Sequence, residues 1–442
     1  MKKILPFSVT ASLMLFSLPI YAQTTSAVQY SQSEQTVRGQ SNLEKPTFRN
    51  PIKGQSVFER SRPDYEPLGI RAGSFVFSPG ITFATEFDDN IFIGDDSDGG
   101  NKEGDTIFVV SPGVRVDSDW ERHSLTFRAG ARSGNYLDNS TQDYTDALLA
   151  VNGAYDISKG FFISGGLSGQ QLREERGSPN DTVGNQFGPT KYFLSILNAG
   201  ITRDVGLIGF NIDSNLIRWD YDRVGNLNND DRDRDDLDVT GRVNYNFMEN
   251  YKAFVSVGGN KREYDNSIDS NGFQRSSEGN EYRVGTNFDI TELVTGELYG
   301  GWAWQDYNDS RFSTIKTPVY GASVLWDLTG LTSLKGSVTR QITDSVQSNI
   351  SGYVESAYRV SVEHELLRNI LLGAAVEYRN YDFRGISVNR EDDLYSGEIG
   401  ARYLLNRIVV LGFDYGYYTR SSNASSQDYT QNTAIATVGL KF

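Results

Sequence analysis

The chain has no cysteine, two histidines and three methionines in 442 residues. Without cysteine there is no disulfide framework, no thiolate nucleophile and no sulfur ligand for a metal. His123 and His364 alone leave little material for a zinc site or a catalytic triad. No cofactor or metal is expected, and an enzyme is not. Lys and Arg total 42 against 57 Asp and Glu, a net charge of -15. The basic footprint of a nucleic-acid-binding protein is therefore missing. Proline is scarce, at 11, and the mean hydropathy is -0.45. Beyond the N-terminus no window reaches the ~18 consecutive apolar residues that a spanning helix needs.

What is abundant is tyrosine (25), phenylalanine (24) and glycine (44), with many Asn and Asp. This is the composition of strands and turns. The first residues, MKKILPFSVTASLMLFSLPIYAQ, read as two lysines, an apolar stretch and a small residue before Gln23. That is the pattern of a secretory signal, expected over 1–22 with cleavage after Ala22. Its loss removes Lys2 and Lys3 and takes the charge to -17. From Gln23 the sequence is rich in Ser, Gln, Thr and Asn and too poor in apolar residues to order itself. Residues 23–73 are expected to be a flexible periplasmic extension, and 74–442 the folded body.

That body alternates. In DLDVTGRVNYNF, Leu237, Val239, Val243, Tyr245 and Phe247 fall on one side; Asp238, Thr240, Arg242, Asn244 and Asn246 fall on the other. EYRVGTNFDI and RHSLTFRAGARSG repeat the pattern. Period two sustained over ~10 residues is a strand with one apolar and one polar face. Eighteen such segments are expected, from 74–87, 105–119 and 121–137 through to 393–405, 407–420 and 430–442. Tight links such as SDWER and DLTGL alternate with long polar ones such as RGSPNDTVGNQFGP. Short turns at one end and long loops at the other mark an outer-membrane barrel. Soluble sheets have strands of about 5–6 residues and need covering helices, which the pattern does not supply. The fold class is thus all-β: a transmembrane antiparallel up-and-down barrel of about 18 strands in the bacterial outer membrane.

The tail TAIATVGLKF fits this reading. Ala434, Ala436, Val438, Leu440 and Phe442 face lipid, and the last strand pairs with the first so that no edge is left in hydrocarbon. A terminal aromatic after such a strip also resembles the signal presented to the barrel assembly machinery, so Phe442 is expected to serve in assembly. Eighteen strands ~4.8 Å apart give a backbone cylinder roughly 36 Å across and an aqueous lumen of ~15–20 Å. That admits small solutes or one extended polymer, not a folded protein.

Lumen-lining candidates are Arg115, Arg128, Arg132, Arg173, Glu175, Arg242, Arg262, Arg283, Arg359, Glu377, Arg379, Arg402 and Asp414. They form a polar wall for hydrophilic cargo or, more blandly, cross-strand ion pairs that stiffen the barrel. Mixed signs argue against a single-signed selectivity ring. Tyr136, Tyr264, Tyr381 and Tyr418 read as inward-facing near the outer half, and are expected in the interfacial aromatic girdle rather than stacked on sugars. The acidic stretches around Asp95 and Asp233 lack EF-hand spacing and read as solvated loops. His123 and Ser124, adjacent on a strand, point to opposite faces and cannot pair.

The stretch Arg60–Phe92 resembles the barrel entry of the putative β-barrel porin family, type two, of Gram-negative bacteria. The matching residues are Arg62-Pro63-Asp64-Tyr65, Pro67 with Gly69, Gly73, Pro79 and Asp89-Asn90. Ser111-Pro112-Gly113 and Ser118-Asp119-Trp120 resemble its second hairpin, and the likeness is dense to about Tyr144. The resemblance implies export of an exopolysaccharide or capsular polysaccharide with a periplasmic polysaccharide-export protein as partner. Two alternatives stand beside it: a general or substrate-specific diffusion porin for small hydrophilic solutes, and a structural or adhesive surface protein.

Overall fold

The structure, a computed structural model, describes residues 54–94, 102–181, 187–225 and 227–442. The expected signal and residues 23–53 of the expected extension lie outside the described residues. A short strand, β1 (Ile70–Ala72), precedes eighteen long ones. The first nine are β2 (Phe75–Asp88), β3 (Asp105–Ser118), β4 (Ser124–Tyr136), β5 (Tyr144–Ser158), β6 (Phe161–Arg173), β7 (Lys191–Arg203), β8 (Ile208–Tyr221), β9 (Arg234–Met248) and β10 (Tyr251–Tyr264). The rest are β11 (Ser277–Ile290), β12 (Val294–Tyr307), β13 (Ile315–Thr329), β14 (Thr332–Asp344), β15 (Ile350–Leu367), β16 (Ile370–Gly385), β17 (Glu391–Leu404), β18 (Val409–Ser422) and β19 (Tyr429–Lys441). From β2 onward each strand pairs antiparallel with its sequence neighbour, and β19 pairs back to β2 from Thr433–Asp88 to Lys441–Gly80. The sheet is a closed eighteen-strand barrel, with boundaries within a few residues of those the alternation predicts.

Alternation decides the faces. On β2, Phe83 and Phe87 are exposed outward while Thr82, Glu86 and Asp88 are buried inward. On β19, Val438 pairs with Phe83 on the outside, and Ile435 pairs with Glu86 on the inside. An outward row of aromatics, Tyr358, Tyr378 and Tyr395, stacks at centroid separations of 5.9 and 5.0 Å, as a lipid-interface girdle does. The four tyrosines expected in the girdle are not there. Tyr136, Tyr264, Tyr381 and Tyr418 have the inward parity, and Tyr264, Tyr381 and Tyr418 are buried. Tyr418 Oη donates to Glu398 at 3.2 Å, and Tyr381 Oη accepts from Arg379 at 3.3 Å. The polar wall supplies partners for their hydroxyls, which lipid would not.

Two seams depart from a plain cylinder. Above the last β2–β19 pair, side chains take over from the ladder. Asp89 accepts from the Asn432 N–H and from its Nδ2, each at 2.7 Å. Asn90, fully buried, donates to Thr430 O at 2.9 Å and to Gly94 O at 3.1 Å. The second seam is open: β13 and β14 pair only from Gly321–Thr339 down to Thr329–Thr332. Above it β14 and β15 lean into the barrel. Ile342 and Val354, whose parity is outward, pack instead on Ala303, Ile315 and Val319 of the inner face of β12 and β13. Pro318 lies on the freed edge of β13, and an edge is where a strand tolerates a residue without N–H.

The described end of the expected flexible extension is packed against the barrel. Residues Ser56–Arg62 run inside the mouth at the short-turn end of the barrel. Val57, fully buried, meets Leu371, Leu404 and Val410, and its N–H donates to Ser333 Oγ at 3.0 Å. The Phe58 N–H donates to Glu363 at 2.8 Å, and Arg60 pairs with Asp327 at 2.7 Å. A stretch poor in apolar residues is ordered here because two of them, Val57 and Phe58, find a prebuilt wall.

Candidate functional site

The lumen is the concave site of this fold, and its outer half is crossed by two inward-folded segments. One is the tip of the β14–β15 hairpin, Asp344–Ile350; the other is the β6–β7 loop. Asn180 of that loop accepts from the Val346 N–H at 3.1 Å, and Gln347 Nε2 donates to Pro179 O. Arg420 on β18 donates to Gly177 O at 2.8 Å. The loop from β6 thus reaches groups on β14–β15 and β18, on the far side of the ring.

The hairpin tip is gripped by an arginine that sequence reasoning missed. Arg275, buried, donates to Ser345 O at 2.6 Å, Ile350 O at 2.8 Å and Gln347 O at 2.8 Å, while its Nε pairs with Asp269 at 2.5 Å. One planar guanidinium satisfies three carbonyls that a turn leaves orphaned. Tyr264 Oη donates to Asp344, whose other oxygen lies 3.6 Å from Arg262. No motif marks Arg275; it sits in a loop, and only the inward fold of a hairpin 70 residues later gives it a role. Under the β6–β7 loop, Tyr192, Trp219 and Tyr221 form a buried inward cluster with Leu194, Ile196 and Ile217. Arg234 and Arg232 stand 4.4 and 4.1 Å from the Trp219 and Tyr221 rings. Arg232 also forks onto Glu174. Burial pushes the Glu174 carboxyl above its usual range, and Arg232 pulls the other way.

The thirteen residues expected to line the lumen are placed as follows. Arg132 lies 3.4 Å from Glu86 and donates to Tyr144 Oη at 3.1 Å. Arg173, at the outer end of β6, reaches Asp146 at 2.5 Å and Glu175 at 3.1 Å, over the face of Tyr144. Arg242 pairs with Glu297 at 2.9 Å and covers the Phe254 ring; Arg283 pairs with Glu281. Arg359 bridges Glu377 at 2.9 Å and Glu398 at 2.6 Å, and Arg379 joins Glu377 to Glu355. Arg262 faces Asp344, as above. Arg402 lies 4.7 Å from the Phe58 ring, and Asp414, opposite Gly400, is its diagonal neighbour. Arg115 binds Asp117 through two bonds of 2.6 and 2.7 Å, with Arg128 directly opposite.

The family-like entry residues are placed as follows. Arg62 pairs with Glu365 at 2.6 Å and donates to Val57 O at 2.8 Å. Pro63 O accepts from Arg407 at 3.2 Å, and Asp64 lies 4.0 Å from Arg368. The Tyr65 N–H closes a turn on Arg62 O at 2.8 Å, and Pro67 is half-buried beside it. Gly69 (φ 68°) and Gly73 (φ 60°) take the left-handed conformations around β1. Asp89 and Asn90 lock the closing seam. The Phe442 N–H donates to Pro79 O at 3.0 Å and its ring is half exposed outward. The acidic loop around Asp233 is consumed by contacts: Asp230 with Arg223, Asp231 with the Ser270 N–H, Asp233 with the Tyr221 N–H. His123 Nδ1 accepts from the Asp156 N–H at 3.1 Å, and His364 bonds Thr332 at 2.9 Å. Among the described residues no group of three His, Cys, Asp or Glu is placed to hold a metal.

This arrangement offers a polar passage in which most cations are neutralised by wall carboxylates, narrowed on its outer half by two segments that meet within it. The family model described as "Putative beta-barrel porin 2" matches residues 62–442. No curated protein matches the chain. Among solved structures it is similar to a BenF-like porin from Pseudomonas fluorescens Pf-5, at 9% identity and TM-score 0.45, covering 83% of this chain and 99% of that one. It is also similar to Pseudomonas aeruginosa OccK9 (OpdG), at 13% identity and TM-score 0.46, covering 83% and 98%. A third is Pseudomonas aeruginosa OpdK with vanillate, at 8% identity and TM-score 0.45, covering 83% and 99%. Likenesses this distant carry no argument about cargo.

Proposed function

We propose, from the premise that this chain belongs to the "Putative beta-barrel porin 2" family, that it is a selective diffusion channel for small hydrophilic solutes in the outer membrane. The observation that carries this reading is the meeting of the β6–β7 loop with the β14–β15 tip, Asn180 to Val346 and Gln347 to Pro179. A lumen divided in this way suits sieving of small solutes better than a standing bore for a polymer. The inner wall contributes paired charges for a hydrated solute to exchange with, as a porin interior does. No catalytic role is assigned to any residue.

The test is conductance of the purified protein alone in planar bilayers, with liposome swelling in sugars of increasing size. Stepwise conductance, and swelling that falls away between disaccharides and larger oligosaccharides, are expected. Silence of the pure, folded protein over many insertions would reject the reading.

One observation favours a second reading, polysaccharide export with a periplasmic partner. The β14–β15 tip has no ladder bonds to β13 above Gly321–Thr339, which gives it a hinge by which to leave the lumen and widen it. Export predicts loss of surface polymer on deletion of the gene, visible with a polysaccharide stain.

A further inference from the structure

Most arginines on the inner wall have a carboxylate in contact. Two on the periplasmic half are arranged differently. Arg115 on β3 and Arg128 on β4 are direct cross-strand partners, and both point inward by the parity of their strands. Like charges directly opposite one another are destabilising. Asp117 is committed to Arg115 through both of its oxygens and also takes the Thr126 hydroxyl at 2.8 Å. Arg128 is half-buried, and no hydrogen bond or ion pair engages its guanidinium within the described residues. One carboxylate for two guanidinium groups leaves a positive charge uncompensated.

The surroundings leave room beside that charge. Along the same row of the wall, Ser78 is opposite Arg115 and Ala150 is opposite Arg128. The next row outward puts Gly80, Gly113 and Gly130 beside the pair, flanked by Lys441 and Leu148. The two forks therefore stand over a patch of small side chains, facing water, with their Cβ atoms ~5 Å apart. Two guanidinium groups at that spacing can converge on one oxyanion, which a fork binds through paired N–H bonds.

We propose that Arg115 and Arg128 form an anion-binding subsite on the lumen wall that takes the carboxylate or phosphate group of a small solute. This rests on the channel reading and deepens it by naming the charge class of the solute. The missing second acid of the pair is supplied by the cargo.

The experiment uses the full chain in detergent micelles. Equilibrium dialysis with labelled inorganic phosphate and, separately, labelled benzoate reads binding without transport; the two probes separate phosphate from carboxylate as the source. Arg128→Gln, Arg128→Lys and wild type are compared after heat-modifiable gel migration confirms that each is folded. Saturable binding of at least one probe is expected, weakened about tenfold or more in Arg128→Gln and largely kept in Arg128→Lys. Reversal potentials in a salt gradient form the second arm, where Arg128→Gln is expected to lower anion over cation permeability. Absence of saturable binding of both probes to wild type overturns the subsite, as does unchanged binding in Arg128→Gln. Conductance without binding would sink the subsite and leave the channel reading standing; binding without conductance would do the reverse.

Discussion

Asn180 and Val346 are 166 residues apart in sequence and 3.1 Å apart across the lumen, the side-chain oxygen of one accepting the backbone N–H of the other. Because the chain has no cysteine of its own, this contact can be tied selectively. In Asn180→Cys with Val346→Cys, oxidation is expected to suppress voltage-driven transitions to larger conductance, and dithiothreitol to restore them. Identical step sizes and gating in both redox states would mean that loop and hairpin do not part.

Arg275→Ala removes three charge-assisted bonds to the hairpin tip and leaves the buried Asp269 without its cation, though still accepting from the Asn271 and Phe273 N–H groups. Each lost bond to a charged group is worth about 1.5–3 kcal/mol, without simple additivity. The tip is expected to become protease-sensitive near Gln347 and single-channel current to become larger and noisier. A quiet, resistant variant would show that β14–β15 leans inward without this clamp.

Asp309, in the β12–β13 loop, accepts from Arg311 and from the Gln274 and Arg311 backbone N–H groups. The Arg311 side chain holds its carboxyl well below the usual carboxylate range. A folded-state pKa below the unfolded value of about 3.9 gives stability that is present above that pH and lost as acid protonates the group. Protection of the Gln274 and Arg311 amides in hydrogen exchange is therefore expected to persist down to about pH 4 and decline below it. Asp309→Asn should show the reduced protection already at neutral pH.

Gly69 and Gly73 both have positive φ but different surroundings. A Cβ at Gly69 would lie 2.7 Å from Val76 Cγ1 and 3.1 Å from Phe77 O, whereas one at Gly73 would meet nothing within 4 Å. Left-handed backbone alone costs an ordinary residue about 1–2 kcal/mol. Gly69→Ala is expected to destabilise the folded barrel clearly more than Gly73→Ala in urea unfolding, and equal midpoints would contradict the packing argument.

Asn90→Ala opens the outer end of the closing seam. It deletes the bonds to Thr430 O and Gly94 at part-buried backbone groups, each net bond being worth about 0.5–1.5 kcal/mol. The expected readout is a lower temperature for the shift from folded to unfolded migration on gels.

Much of this architecture was legible from period two. β19 was expected at 430–442 and runs Tyr429–Lys441; β18 was expected at 407–420 and runs Val409–Ser422. Parity also put Arg242 and Arg359 on the inner face. It could not reveal the inward lean of β14–β15, because Ile342 and Val354 alternate like any outward residue; what changed is the neighbour they pack on. The fit of Val57 and Phe58 into the mouth, and the grip of Arg275 on the hairpin tip, depend on surfaces that exist only once the ring has closed. Parity read Tyr264 and Tyr381 as inward-facing, but their assignment to the girdle failed because their hydroxyl partners, Asp344 and Arg379, are brought to them only by the folded wall.

The strap of Ser56–Arg62 touches β13 to β18 and, among its described contacts, none of β3 to β12. Among the described residues it therefore covers one side of the inner doorway and not the opposite side. Among the described residues, the sector of β3 and β4 that carries Arg115 and Arg128 is part of the threshold that the strap leaves uncovered.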